Sequence, residues 1–157
     1  MSGFTHFDEH GNAIMVDVSQ KQATARHAIA RGKIKMSAEC YKAVRQGTVK
    51  KGDVLGVARI AGIMAVKQTA SLIPLCHAIP IESAVIDFSF NDNKCEISAT
   101  CTVKTTGVTG VEMEALTGAG ISLLTIYDMC KAMDKGMELG GIKLLEKVGG
   151  KSGVYKA

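Results

Sequence analysis

Residues 84–103 read Ala84-Val85-Ile86-Asp87-Phe88-Ser89-Phe90-Asn91-Asp92-Asn93-Lys94-Cys95-Glu96-Ile97-Ser98-Ala99-Thr100-Cys101-Thr102-Val103. Ala84, Ile86, Phe88 and Phe90 alternate with Val85, Asp87 and Ser89, the period-2 pattern of a strand with one buried face. Asn91-Asp92-Asn93 is turn chemistry. Beyond it, Cys95, Ile97, Ala99, Cys101 and Val103 alternate with Glu96, Ser98, Thr100 and Thr102. The pattern predicts an antiparallel hairpin packed on one side only, with Cys95 and Cys101 serving as small hydrophobes.

Upstream of the hairpin, residues 23–36 alternate more loosely. Ala28, Ala30, Ile34 and Met36 take one face and His27, Arg31, Lys33 and Lys35 the other, which predicts a half-exposed strand. Ser37 is placed to cap a short helix that Gly47 ends. Asp53 then opens a second helix, in which Val54, Val57, Ala58, Ala61, Met64 and Ala65 follow a 3.6 period. Leu55, Ile60 and Ile63 make its other face apolar too, so the helix from 53 to 67 is expected to be buried on more than one side, as at a subunit interface. Downstream, residues 111–133 read as a long helix with Ala115, Leu116, Ala119, Leu123, Ile126 and Cys130 on its stripe, and residues 142–148 as a last strand. Strand, two helices, two strands, helix, strand predicts an α+β fold, a ferredoxin-like antiparallel sheet with helices packed on one face.

The chain is 157 residues long, enough for one domain, 1–157, with residues 1–12 reading as a mobile arm. A hydrophobic content of 46% and a charged content of 22% exclude a disordered chain. Aromatics at 4%, with no Trp, argue against a groove of stacked rings for sugars or peptides. The net charge of +4 suits an anionic ligand but is too mild to indicate nucleic acid, and no RNP-like motif or zinc finger occurs. The apolar stretch 54–66 is interrupted by Gly56, Arg59 and Gly62 and is too short to span a bilayer, so no membrane partner is expected. Five cysteines, no Cys-x-x-Cys and a polar start without a secretory apolar segment predict reduced thiols and a cytoplasmic protein.

Five places could carry chemistry. Cys76-His77, after Leu72-Ile73-Pro74-Leu75, has the residue types of a thiol nucleophile or a metal ligand, but adjacent side chains seldom reach one atom and no second Cys/His cluster has ligand spacing. His6 and His10 in the arm are weak metal candidates, so no residue is assigned to a metal. Glu112-Met113-Glu114 opens the long helix; its acids either offset the helix dipole or form a carboxylate pair for proton transfer and ring recognition. Asp128 and Lys131 are three apart and meet on one helix face, as a surface ion pair or as a tuned acid–base pair. Lys147-Val148-Gly149-Gly150-Lys151-Ser152-Gly153 imitates a P-loop, yet Leu145 stands where that motif needs Gly; a glycine-rich basic loop still offers N–H groups to phosphate.

Together these segments resemble the cyclic pyranopterin monophosphate synthase family of molybdenum-cofactor biosynthesis, the MoaC family. The resemblance is carried by Lys51-Gly52-Asp53-Val54, Ala58-Arg59-Ile60-Ala61-Gly62-Ile63, Leu72-Ile73-Pro74-Leu75-Cys76-His77, and Thr106-Gly107-Val108-Thr109-Gly110-Val111-Glu112-Met113-Glu114-Ala115-Leu116. It continues through Leu124-Thr125-Ile126-Tyr127-Asp128-Met129-Cys130-Lys131 and Gly149-Gly150-Lys151-Ser152-Gly153, covering about residues 4–152. One departure is that Ala78 stands where the family usually has Pro, with Pro80 two residues on.

The resemblance implies a ferredoxin-like subunit in a homo-hexamer, a trimer of dimers. It implies a lyase that converts 3′,8-cyclo-7,8-dihydroguanosine 5′-triphosphate, supplied by a radical-SAM GTP cyclase, to cyclic pyranopterin monophosphate with release of diphosphate. Rebuilding a purine into a pterin needs proton donors and acceptors, and expelling diphosphate needs cations, but neither step needs a redox cofactor. Mg²⁺ is expected only as a companion of the triphosphate. By similarity, Asp128, Lys51 and Lys131 are the catalytic acid and proton-transfer lysines, at a subunit interface; Lys51 lies far from Asp128 in sequence and just before the two-sided apolar helix, so a neighbouring subunit is expected to bring it in. Leu75, Cys76, His77, Glu112, Met113 and Glu114 are substrate-binding, and Arg26 and Lys147 are phosphate-side cations. The rival reading is a non-catalytic ferredoxin-like oligomer that binds a nucleotide or a partner protein.

Overall fold

The computed structural model describes residue 8 and residues 10–157, so His6 and most of the expected mobile arm lie outside the described residues. Within the arm's remainder, the Asp8 carboxylate accepts from the His10 and Asn12 amides at 2.9 and 2.8 Å, forming a turn.

The elements are β1 (Thr24–Lys35), α1 (Ala38–Gln46), α2 (Val54–Leu72), β2 (Ser83–Asn91), β3 (Glu96–Gly107), α3 (Glu112–Cys130), β4 (Glu138–Val148) and β5 (Tyr155–Lys156). The sheet runs β2-β3-β1-β4-β5, antiparallel throughout. Its first four strands have the split βαβ arrangement of a ferredoxin-like fold. The hairpin forms as its alternation predicts, with Ile86 opposite Cys101 and Phe88 opposite Ala99. Ile97, Ala99, Cys101 and Val103 are buried, as are Ala28, Ala30 and Ile34 of β1. Cys95 departs from the pattern: it belongs to the turn, with φ of 50°, and only partly packs against the core.

The helices cover this inner face. Ser37 caps α1 by accepting from the Cys40 amide, and Gly47 closes it in the left-handed conformation. Asp53 caps α2 by accepting from the Gly56 amide. The α2 and α3 helices approach closely through small residues. A Cβ on Gly62 would lie 2.9 Å from the Gly118 carbonyl oxygen, and one on Gly118 would lie 2.7 Å from both Cys101 Sγ and Val66 Cγ2. The hydroxyls of Ser122 and Thr69 at this seam donate to carbonyls one turn back, at 2.8 and 3.0 Å, so they are buried without penalty. Val54, Ala58, Gly62, Ala65, Val66 and Thr69 point inward. Val57, Ile60 and Met64 of the same helix, and Leu124 of α3, remain exposed.

Three boundaries differ from the sequence expectation. The second helix runs on past Lys67 to Leu72, anchored by buried Thr69. The third ends at Cys130 rather than residue 133, where Asp134 accepts from the Gly136 and Ser37 amides and fixes a turn. The last long strand begins at Glu138, and a short β5 follows it. No helix among the described residues is long and apolar enough to cross a membrane, and all five cysteines are free thiols.

Candidate active site

The candidate groups gather at the two opposite ends of α3. At its C-terminus, Lys131 Nζ lies 2.8 Å from Asp128 Oδ1, one turn apart on a common face. The turn before α2 brings Lys51 to the same place: its Nζ lies 3.6 Å from Asp128 Oδ2 and donates to the Asp128 carbonyl at 2.9 Å. That carbonyl is one of the last of the helix, without an intrahelical donor, so Lys51 caps the negative end of the dipole from outside the helix. The expectation that a neighbouring subunit delivers Lys51 to Asp128 is therefore corrected. The chain's own fold assembles all three groups.

The Lys131 hydrogen bond and charge, with Lys51 beside them, hold the Asp128 carboxyl below its ordinary value. Asp128 in turn raises Lys131. A lysine that takes protons near neutral pH needs a lowered pKa, yet this one is solvated and paired, so in the free subunit it is a charged donor. Desolvation by bound substrate is the change that would release its proton.

At the N-terminus of α3, Leu75, Cys76, His77, Glu112, Met113 and Glu114 line one cavity of about 360 Å³ with Val16, Val18, Lys21, Thr109 and Gly110. Six of the eight residues assigned to substrate by resemblance are thus brought together. His77 Nε2 bonds the Val16 carbonyl at 2.8 Å, tying the loop after α2 to the segment before β1. Despite Ala78 in place of Pro, this loop is fastened from a second side, where the Thr105 hydroxyl donates to the Pro80 carbonyl. The first turn of α3 has no side-chain cap, and Glu112 and Glu114 supply its negative charge. Glu114 is only 4% exposed. Burial raises its carboxyl and Glu112 adds to the shift, while its own backbone N–H opposes it. Burial, with Glu114 nearby, also raises the Cys76 thiol, so Cys76 is held as a neutral thiol, not a ready nucleophile.

A larger cavity of about 960 Å³ adjoins the first, sharing Lys21, Thr109, Gly110 and Glu112 with it. Arg26 and Lys147, the expected phosphate-side cations, both line it, together with Lys151 and the glycine-rich loop. Arg26 Nε donates to the Gly107 carbonyl at 3.3 Å, and Lys147 donates to the Ser152 hydroxyl. Gly149 and Gly150 have φ of 102° and 77°, and a Cβ on Gly149 would lie 2.8 Å from Arg26 Cδ, so the arginine lies against bare backbone. Sequence reasoning missed Lys21, which sits in a polar loop with no pattern to single it out. Lys151 was visible only as part of the basic glycine-rich loop.

Residues 15–150 match the profile of the MoaC family. The chain belongs to the MoaC family. Its relatives include the cyclic pyranopterin monophosphate synthase of Clostridium botulinum, 60% identical over 97% of this chain and 96% of that protein. The protein of the same name from Cereibacter sphaeroides is 58% identical over 100% of this chain and 99% of that one. That from Pelobacter propionicus is 56% identical over 98% and 96%. Within this MoaC-family chain, Glu114 and Asp128 share one helix, so their axial separation is about 21 Å at ~1.5 Å rise per residue. The cavities and the Lys51–Asp128–Lys131 centre of a single subunit therefore lie at opposite ends of one helix.

Proposed function

We infer that this chain is a cyclic pyranopterin monophosphate synthase, a lyase of molybdenum-cofactor biosynthesis. It converts 3′,8-cyclo-7,8-dihydroguanosine 5′-triphosphate to cyclic pyranopterin monophosphate and releases diphosphate. The observation that carries the reading is kinship at 56–60% identity over nearly the whole chain with proteins of that name. The two joined cavities support it, because one is lined by the buried Glu114 carboxyl and the half-buried Cys76 thiol and the other by cations. In this reading Leu75, Cys76, His77, Met113 and Glu114 hold the ring system, with Glu112 accepting from its N–H groups. Arg26 and Lys147 neutralise the phosphates and stabilise the departing diphosphate. Asp128 keeps Lys131 protonated for donation to the breaking C–N bond, and Lys51 is the partner that exchanges the second proton.

The axial gap along α3 makes the working site composite. One subunit supplies the cavities, and a neighbour supplies its complete Lys51–Asp128–Lys131 centre. The exposed apolar residues Val57, Ile60, Met64 and Leu124 are the surface such a neighbour would cover. A homo-hexamer built as a trimer of dimers satisfies this, and closed symmetric assemblies are the usual outcome for one chain type. The substrate's extra ring bond requires a radical reaction upstream, assigned to a radical-SAM GTP cyclase, in the cytoplasm. Mg²⁺ enters with the substrate's triphosphate. Among the described residues no group of three or more His, Cys, Asp or Glu side chains lies together to hold it, and no step is assigned to it.

Incubation with enzymatically prepared cyclised GTP, followed by oxidation and detection of a fluorescent pterin, tests the activity. Pterin formation that depends on Asp128 is expected. Substrate bound and recovered unchanged would leave a binding module.

A further inference from the structure

The two lysines of the Lys51–Asp128–Lys131 centre stand on different elements. Lys131 ends α3 and still belongs to its spiral: its amide donates to the Tyr127 carbonyl at 2.8 Å, with φ of −57° and ψ of −19°. Its pairing with Asp128, three residues back, depends on residue 131 keeping that conformation. Helix ends fray unless their terminal groups are held, and no glycine in the left-handed conformation follows Lys131 to close this one.

Asp134 holds this end instead. Its amide donates to the Cys130 carbonyl at 3.2 Å, and its two carboxylate oxygens take different partners. Oδ1 accepts from the Gly136 amide at 2.8 Å, which closes the turn on itself. Oδ2 accepts from the Ser37 amide at 2.7 Å, which ties the turn to the N-cap of α1. There the carboxylate also faces the positive end of the α1 dipole. Lys51 lies at the far limit of the segment that starts at Ser37. The chain runs through α1, is anchored by buried Val49, and reaches the turn that carries Lys51. Residues 37–51 are thus bonded to the end of α3 at both limits, by Ser37 to Asp134 and by Lys51 to Asp128. The Lys51 bond runs through a long, largely solvated side chain, whereas the Ser37 bond joins backbone to a short one. The Asp134–Ser37 bond is the stiffer of the two, because fewer rotatable bonds lie between the joined backbones.

We propose that Asp134 is a positioning residue for the acid–base centre: by joining the end of α3 to the start of α1 through the Ser37 amide, it sets Lys131 and Lys51 about Asp128. This rests on the reading that the centre serves the lyase reaction.

The test compares the intact assembled wild-type protein with Asp134→Asn, Ser37→Pro and Ser37→Ala. Ser37 has φ of −60° and ψ of 152°, which proline adopts, so Ser37→Pro removes the amide donor without changing any charge. Ser37→Ala keeps that donor and loses only the hydroxyl that caps α1, so it controls for the lost cap. With cyclised GTP, Asp134→Asn and Ser37→Pro should each lose about tenfold or more in kcat, the scale of a small misplacement of reacting groups, with KM within about twofold of wild type. Ser37→Ala should keep kcat. A second readout needs no turnover: the rate at which acetic anhydride acylates Lys131 at about pH 8, measured by peptide mass spectrometry against exposed Lys42. Asp128 holds the Lys131 ammonium above its ordinary range, so a displaced Lys131 should react about threefold faster or more in Ser37→Pro and Asp134→Asn, and at the wild-type rate in Ser37→Ala. A wild-type kcat or an unchanged Lys131 rate in Ser37→Pro, or equal effects in Ser37→Ala, would overturn the proposal. So would failure of both Asp134→Asn and Ser37→Pro to fold by circular dichroism, which would make the bond a requirement of folding. Absence of turnover by the wild type would overturn the lyase reading, while the acylation rates would still decide whether Asp134 places Lys131.

Discussion

Lys131→Ala and Glu114→Gln each disable a different half of the proposed site. Within one subunit the halves are about 21 Å apart along α3, so in the proposed arrangement each working site draws its cavities from one chain and its Lys51–Asp128–Lys131 centre from another. Each variant alone should lose about 10²-fold or more in turnover, the scale of acid–base contributions. When the two are mixed equally and subunits exchange, a site is intact if its cavity half comes from the Lys131 variant and its other half from the Glu114 variant. Random assembly makes about a quarter of sites intact, far above the residual of either parent. Lys51→Ala mixed with Lys131→Ala is the decisive control. Both lysines meet Asp128 of their own chain, so no mixture rebuilds the centre and activity should stay at the level of the single variants. Turnover measured before and after exchange, with mixed oligomers verified by native mass spectrometry, decides. Recovery in the Lys51/Lys131 mixture, or none in the Lys131/Glu114 mixture, would refute the composite arrangement.

Glu114→Gln should not lower stability at neutral pH. Burial holds the wild-type carboxyl above its ordinary value of 4.5, so stability that is full below the unfolded pKa is lost as pH rises through the folded one. Thermal melts should accordingly favour the Gln variant over wild type more at pH 7.5 than at pH 4. Gly62→Ala should cost about 1–3 kcal/mol in denaturant titration, because its Cβ meets the Gly118 carbonyl across the α2–α3 seam. Light scattering should give a mass several times 16.6 kDa, and Ile60→Asp, at a position 62% exposed in the subunit, should lower that mass while circular dichroism stays unchanged. Alkylation of the native protein should spare Cys101, which is fully buried with its thiol pushed up to about 12, and should reach it only after unfolding.

How much of this was legible beforehand differs from element to element. The hairpin was readable because each inward position is apolar and each outward one polar or exposed. Cys95 misled because it continues the alternation in sequence while the backbone has already turned through a positive φ, for which Cys gives no signal. The start of β4 was hidden for a different reason. Glu138, Gly140 and Gly141 carry no apolar alternation, and the strand is held by pairing with β1 across irregular register. Asp128 and Lys131 could be paired by helical spacing alone. Lys51 could not, since only the packing of the α2 turn against the end of α3 brings it there. Two apolar faces on the second helix were visible in sequence. Gly62 and Ala58 turning inward while Ile60 and Val57 stay outside required the seam with α3. The cavity residues were recognisable by motif, but their division into two joined cavities, and the place of Lys21 between them, follow from the return of residues 16–22 over the His77 loop.

The most direct measurement is ³¹P NMR of the wild-type protein incubated with cyclised GTP. Loss of the triphosphate signals should be matched one to one by free diphosphate and by a single cyclic phosphate resonance, and Asp128→Asn should abolish both. Triphosphate signals that persist, or that decay to ordinary monophosphate without the cyclic resonance, would contradict the assignment of this chain as the lyase.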